Sequence, residues 1–173
     1  MIAACPQTAA ARATAITPAL PRFAFQIQAR PDCLQLPRPA ERPDFDQPSA
    51  FASLALFVAA YGTFVFSVAA RPAYAEGSVR DWLFDLCRQT GLEIERAAPV
   101  LVDGDPAATC LATQKTDTGV LKVRLTLLED DGRLFVLTAS APAPLWRAHS
   151  NAFDEMFSSF KLAEKFGQTV AVA

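Results

Sequence analysis

Residues 51–77 read FASLALFVAAYGTFVFSVAARPAYAEG, and the first twenty of them, through Ala70, carry no charge. A run of that length suffices for a membrane-spanning helix. Ala73-Tyr74-Ala75 has the small-x-small form of a signal cleavage site. The spacing of the large side chains argues against both. Leu54, Leu56 and Val58, then Phe64, Phe66 and Val68, occupy even positions. Ser53, Ala55, Ala59, Thr63, Ser67 and Ala69 occupy odd ones, where only Phe57, Tyr61 and Val65 are large. Period two belongs to a strand, and a helix in lipid has no reason to produce it. A secretory signal would also have to follow roughly fifty residues that include a proline-rich acidic stretch, which is abnormal. The expectation is two strands, 52–60 and 63–70, with Gly62 at the bend and the even row facing the core.

Working outward, Ser78 to Gly91 (SVRDWLFDLCRQTG) is the clearest helix. Val79, Trp82, Leu83, Leu86 and Cys87 fall at i, i+3, i+4, i+7 and i+8, one apolar stripe. Ser78 suits the N-cap, Asp81 the positive end of the dipole and Gly91 a left-handed stop. Leu92 to Val102 then reads as a strand interrupted by Pro99. VDGDP at 102–106 is a turn, and ATCLATQ at 108–114 is the returning strand. Residues 120–141 form a hairpin about DDGR, with Leu121, Val123, Leu125 and Leu127 alternating with Lys122, Arg124 and Thr126. The last helix opens at Pro144 or Ser150 and buries Phe153, Met156, Phe157 and Phe160. Asp154 and Glu155 are expected in its first turns and Lys161 near its end.

Toward the N-terminus, Phe23, Phe25 and Ile27 alternate with Ala24, Gln26 and Gln28 as a half-buried strand. Residues 31–48 hold Pro31, Pro37, Pro39, Pro43 and Pro48 and are expected to be extended and irregular. Residues 1–22 read as a disordered tail and 167–173 as a frayed one, leaving a single domain over 23–166. At 173 residues the chain is long enough to bury a core without metal or disulfide staples.

Composition narrows the chemistry. A net charge of −2 leaves no basic footprint, which disfavours nucleic acid as a partner. Cys5, Cys33, Cys87 and Cys110 are scattered without a C-x-x-C pair, so buried or idle thiols are expected, and with them a reducing, cytoplasmic setting. The alternative location is membrane-associated or exported, should 51–70 insert. His149 is the only histidine, which leaves metal sites and Cys-His constellations short of parts. Asp103 and Asp105 flank Gly104 as turn residues. Glu129, Asp130 and Asp131 sit in a hairpin tip, where a solvated turn outweighs a weak cation site. Neither a phosphate-binding glycine loop nor a nucleophile elbow is present. Catalytic, cofactor-binding and metal-binding residues are therefore expected to be none. Lys122 and Arg124 point the same way from one strand and, with Trp146, are the candidate surface for a partner of acidic character.

The turn VDGDPAATC, the strand and loop DDGRLFVLTASAP and the closing helix FDEMFSSFKL together resemble the PsbP-like superfamily over about residues 23–165. The resemblance implies an α+β fold, an α/β/α sandwich. Its sheet would be mostly antiparallel, of about six to seven strands, with two main helices at about 78–90 and 150–162. These are packing motifs and transfer no catalytic residue. They imply a non-enzymatic binding or accessory protein that uses its fold as a scaffold for another protein, with a homodimer through a sheet edge as one expectation. A variant of the same reading is a bacterial effector chaperone of the Eag type.

Overall fold

The computed structural model describes residues 25–36, 51–73 and 76–162. The expected tails at 1–22 and 167–173, Phe23 and Ala24, most of the proline-rich segment, and Tyr74 and Ala75 of the supposed cleavage site lie outside them. The apolar run is strands. β3 (Ala52–Ala59) and β4 (Val65–Pro72) pair antiparallel across a short turn. In that turn Tyr61 and Gly62 both take positive φ, and the Ala59 N–H donates to the Phe64 carbonyl at 3.1 Å. No helix among the described residues is long and apolar enough to cross a membrane.

The even-row expectation holds for β4 and fails for the middle of β3. Phe64, Phe66 and Val68 are buried as expected. In β3 the register shifts between Ser53 and Ala55, so that Ser53 faces Ala69 while Ala55 faces Val68. Leu54 is the extra residue of a β-bulge, and from there onward the rows exchange faces. Ala55, Phe57 and Ala59 are buried, whereas Leu56 and Val58 are only half-buried. A bulge re-aims every side chain beyond it because the strand repeat is two.

Five further strands complete the main sheet. β2 (Cys33–Gln35) pairs with β3, which corrects the wholly irregular reading of 31–48. β5 (Glu93–Val102), β6 (Asp105–Thr116), β7 (Gly119–Asp130) and β8 (Arg133–Pro142) form an antiparallel meander. β8 docks beside β4, giving the seven-stranded order β2-β3-β4-β8-β7-β6-β5. Asp103-Gly104 and Asp131-Gly132, all at positive φ, close two of the hairpins as the sequence implies. β5 runs unbroken through Pro99, against the expected interruption. It is an edge strand, where the missing proline N–H costs no ladder bond on the outer side. A two-stranded ribbon joins β1 (Phe25–Gln26) to β9 (Lys161–Leu162).

α1 (Val79–Gln89) begins in a capping box. The Asp81 N–H donates to Ser78 Oγ at 3.2 Å, and Asp81 Oδ2 accepts from the Ser78 N–H at 3.2 Å. It ends in a Schellman turn, with the Leu92 N–H donating to the Cys87 carbonyl and the Gly91 N–H to that of Arg88, Gly91 being left-handed. α1 lies over β5, β6 and β7 and buries Trp82, Leu83 and Cys87. α2 (Trp146–Ser159) covers the opposite face over β8 and β4. It starts four residues before Ser150 and stops before Phe160, so the expected span of 150–162 is displaced. Pro144 belongs to the short 3-10 turn that leads into it. Asp154 and Glu155 consequently lie past the first turns, and Lys161 lies in β9.

The two faces hold separate cores. Phe25, Phe57, Phe64, Phe66, Phe135, Phe153, Phe157 and Phe160 belong to the α2 side, while Leu83, Cys87, Cys110, Leu125 and Leu134 belong to the α1 side. On this basis Phe57→Ala is expected to cost about 3–5 kcal/mol in denaturant unfolding and Leu56→Ala clearly less. The reverse order would remove the bulge. A second expectation concerns the α1 cap. Hydrogen bonds from the Ser78 side chain and then its backbone hold Asp81 below its ordinary value of 3.8. The resulting stability is present above that value and is lost as pH falls through the lowered one. The stability difference between wild type and Asp81→Asn, followed by chemical unfolding between about pH 6 and pH 2, is expected to shrink on acidification.

Candidate functional site

Two helices cannot cover both faces of seven strands. α1 takes the β5–β7 half of one face and α2 the β8–β4 half of the other. The α2-side face of β5, β6 and β7 is thereby left beside the flank of α2, and a groove of about 360 Å³ opens there. Its floor is Ala98 of β5, Thr109 and Leu111 of β6 and Arg124 of β7, and its wall is Trp146, Ser150, Phe153 and Asp154 of α2. Thr109 Oγ1 donates to the Leu125 carbonyl at 2.9 Å and lies 2.9 Å from Thr126 Oγ1, so the floor is tied across the ladder.

The three residues singled out in the sequence come together on this side. Lys122 and Arg124 are two apart on β7 and share a face. Arg124 reaches α2, where Nη1 lies 2.5 Å from Asp154 Oδ1 and the guanidinium stands 4.1 Å from the centre of the Phe157 ring. Lys122 Nζ is 3.2 Å from Glu95 Oε2 and so is paired within the chain. Lys115 and Glu93 add a second cross-strand pair at 3.0 Å. Such exposed pairs contribute roughly 0–1 kcal/mol each and exchange readily for intermolecular ones. Trp146 stands half-buried at the groove wall, its ring 4.9 Å from that of Phe153.

Arg96 joins this set without a signal in the sequence. β5 carries its own bulge between Ile94 and Arg96. Ile94 faces Ala112 on the α1 side, whereas Arg96 faces Leu111 on the α2 side. Strict alternation would have put Ile94 and Arg96 on the same face, so only the paired ladder reveals that Arg96 borders the groove. Phe153 and Asp154 were visible only as helix residues.

Other candidates separate. Cys110 packs in the α1-side core, and His149 lies in α2 with its ring 4.9 Å from that of Phe64. The sheet stands between them, so no nucleophile and base meet there. Asp130 pairs with Arg133, and Glu129 Oε1 accepts from the Gly132 N–H at 3.0 Å, so both serve the β7–β8 turn. Among the described residues no group of three or more His, Cys, Asp or Glu side chains converges as a metal site would require.

No protein-family model matches the chain, and no curated protein matches it. Solved structures do. Cyanobacterial PsbP (CyanoP) from Synechocystis superposes with a TM-score of 0.65 at 12% identity, covering 93% of this chain and 98% of that one. LpqN, involved in cell envelope biogenesis of Mycobacterium tuberculosis, gives 0.57 at 11% identity over 80% and 82% of the two chains. The Ran-binding protein Mog1p of Saccharomyces cerevisiae gives 0.55 at 12% identity over 79% and 89%. At such identities the likeness is one of fold. With the seven-stranded antiparallel sheet and a helix on each face, it identifies the chain as a PsbP-like α/β/α sandwich.

Proposed function

We propose that this is a non-enzymatic accessory protein that binds another protein through the groove between α2 and the β5–β7 face. The observation that carries this reading is the gathering of Arg96, Arg124 and Trp146 around one groove. Arginine and tryptophan are the residue types in which binding energy concentrates, because each combines large contact area with directional polar groups. The chemistry fits an extended, acidic segment of a partner. A carboxylate would meet Arg96, a second would compete with Asp154 for Arg124, and an apolar side chain would pack on Trp146 and Leu111. The Ran-binding activity of Mog1p supports a protein partner for a chain of this fold. The same reading places the protein in the cytoplasm, supported by cysteines without paired spacing.

A photo-crosslinking amino acid at position 150, in the groove wall, tests the site, with position 80 on the outer side of α1 as the control. A partner adduct is expected from 150 and not from 80. Arg96→Glu with Trp146→Ala is expected to weaken that capture tenfold or more while leaving the circular dichroism spectrum unchanged. Adducts that form equally from both positions, or that survive the double substitution, overturn the proposal. Because the contact is electrostatic at its rim, raising ionic strength from about 0.05 to 0.5 M is expected to slow association more than it speeds dissociation.

A further inference from the structure

The α1-side core contains a chemical feature that a binding scaffold does not require. Cys87, in the last turn of α1, and Cys110, in the middle of β6, are both 1% exposed, and their sulfurs lie 3.5 Å apart. This is van der Waals contact between thiols brought together from 23 residues apart in the chain. Two buried cysteines serve as small apolar fillers without needing to touch. Here they touch, and they share a hydrogen bond that lowers Cys87 and, with burial, raises Cys110 well above the usual thiol range. Cys87 is thereby the more acidic of the two thiols, and the thiolate is the form that reacts.

We propose that Cys87 and Cys110 are a redox modification site, oxidised by hydrogen peroxide to a disulfide that fastens α1 to the centre of the sheet. The Cys87 thiolate attacks one peroxide oxygen, breaking the O–O bond and giving a sulfenic acid and hydroxide. Cys110 Sγ then attacks the Cys87 sulfur and surrenders its proton, and the sulfenic hydroxyl leaves as water. Two thiols and one peroxide become one disulfide and two waters, with two electrons passing to the peroxide. Bond formation requires the sulfurs to close by roughly 1.5 Å, since an S–S bond is about 2.05 Å long. Ala108 and Ala112 are the small residues that flank Cys110 in the same strand and on the same face. A groove of about 380 Å³, lined by Leu86, Thr90 and Leu92, opens beside the last turn of α1 and reaches the residue before Cys87. Cys33 is half-buried in the other core, so it cannot substitute for either partner without unfolding.

The test uses the full-length chain. Protein is treated with one equivalent of hydrogen peroxide, unfolded in the presence of an alkylating agent, digested and mapped by mass. The expected product is a linked Cys87–Cys110 peptide pair lighter by two hydrogens, with Cys33 alkylated. The treated protein is expected to melt higher than the untreated one, to return to its original midpoint with dithiothreitol, and to do both unchanged in Cys33→Ser. Complete alkylation of Cys87 and Cys110 after treatment overturns the proposal, as does overoxidation of either to a sulfinic acid without linkage. Because the readout is taken on wild-type protein, it does not depend on whether Cys87→Ser or Cys110→Ser folds.

Discussion

The contact on which the rest of the structure depends is the aromatic interlock between α2 and the sheet. Phe153 meets Phe64 edge-on with ring centres 5.1 Å apart, and Phe157 meets Phe66 in the same manner at 5.0 Å. Phe160, just past the helix, stacks on Phe25 at 5.5 Å and meets Phe135 at 6.0 Å. Edge-to-face pairs contribute beyond the area they bury because the positive edge of one ring meets the negative face of another. The cluster joins both ends of the described chain to the middle of the sheet, and the β1–β9 ribbon continues it. Deleting one ring leaves a cavity bounded by elements that cannot collapse independently.

Position follows from that interlock. With α2 held over β4 and β8, the β5–β7 face on the same side lies along the flank of that helix, which it meets through Arg124, and it carries the charged side chains Arg96, Lys115, Lys122 and Arg124 with Glu93 and Glu95. On the opposite face α1 covers β5–β7 and leaves β2–β4 with the half-buried Leu56, Val58 and Val65 and the exposed Leu34. The diagonal placement of the helices thus creates the groove beside α2. It also explains why the sheet carries charge on one open quadrant and apolar side chains on the other. At the outer edge, Pro99 in the middle of β5 removes a donor that an added strand would need.

Much of the architecture was legible in particular residues. Ser78 announced the N-cap, Asp81 the helix start, Gly91 the helix stop, and Asp-Gly at 103–104 and 131–132 the hairpins, since these signals act through bonds a few residues long. The pairing of Lys122, Arg124 and Trp146 on one side was half legible. Strand alternation fixes that Lys122 and Arg124 share a face, but only packing shows that Trp146 flanks Arg124. The contact of Cys87 with Cys110 had no sequence signal, because helix spacing and strand spacing each give a face without saying which faces meet.

The sequence by itself pointed to two strands joined by a bend at Gly62 within 51–70: large and small residues in turn suit a sheet, a helix in lipid has no reason to produce them, and that preference is local to the backbone. It equally determined the apolar stripe of each helix and the order of the longer elements, though neither β2 nor β9. Only the tertiary structure decided which row of β3 turns inward, which side Arg96 faces and where α2 begins. A bulge sets two residues of one strand against one residue of its neighbour, so it belongs to the pairing, and a helix end moves when the packing of its aromatic side chains outweighs a favourable cap. Those choices belong to the partners of a segment, and no segment carries its partners within itself.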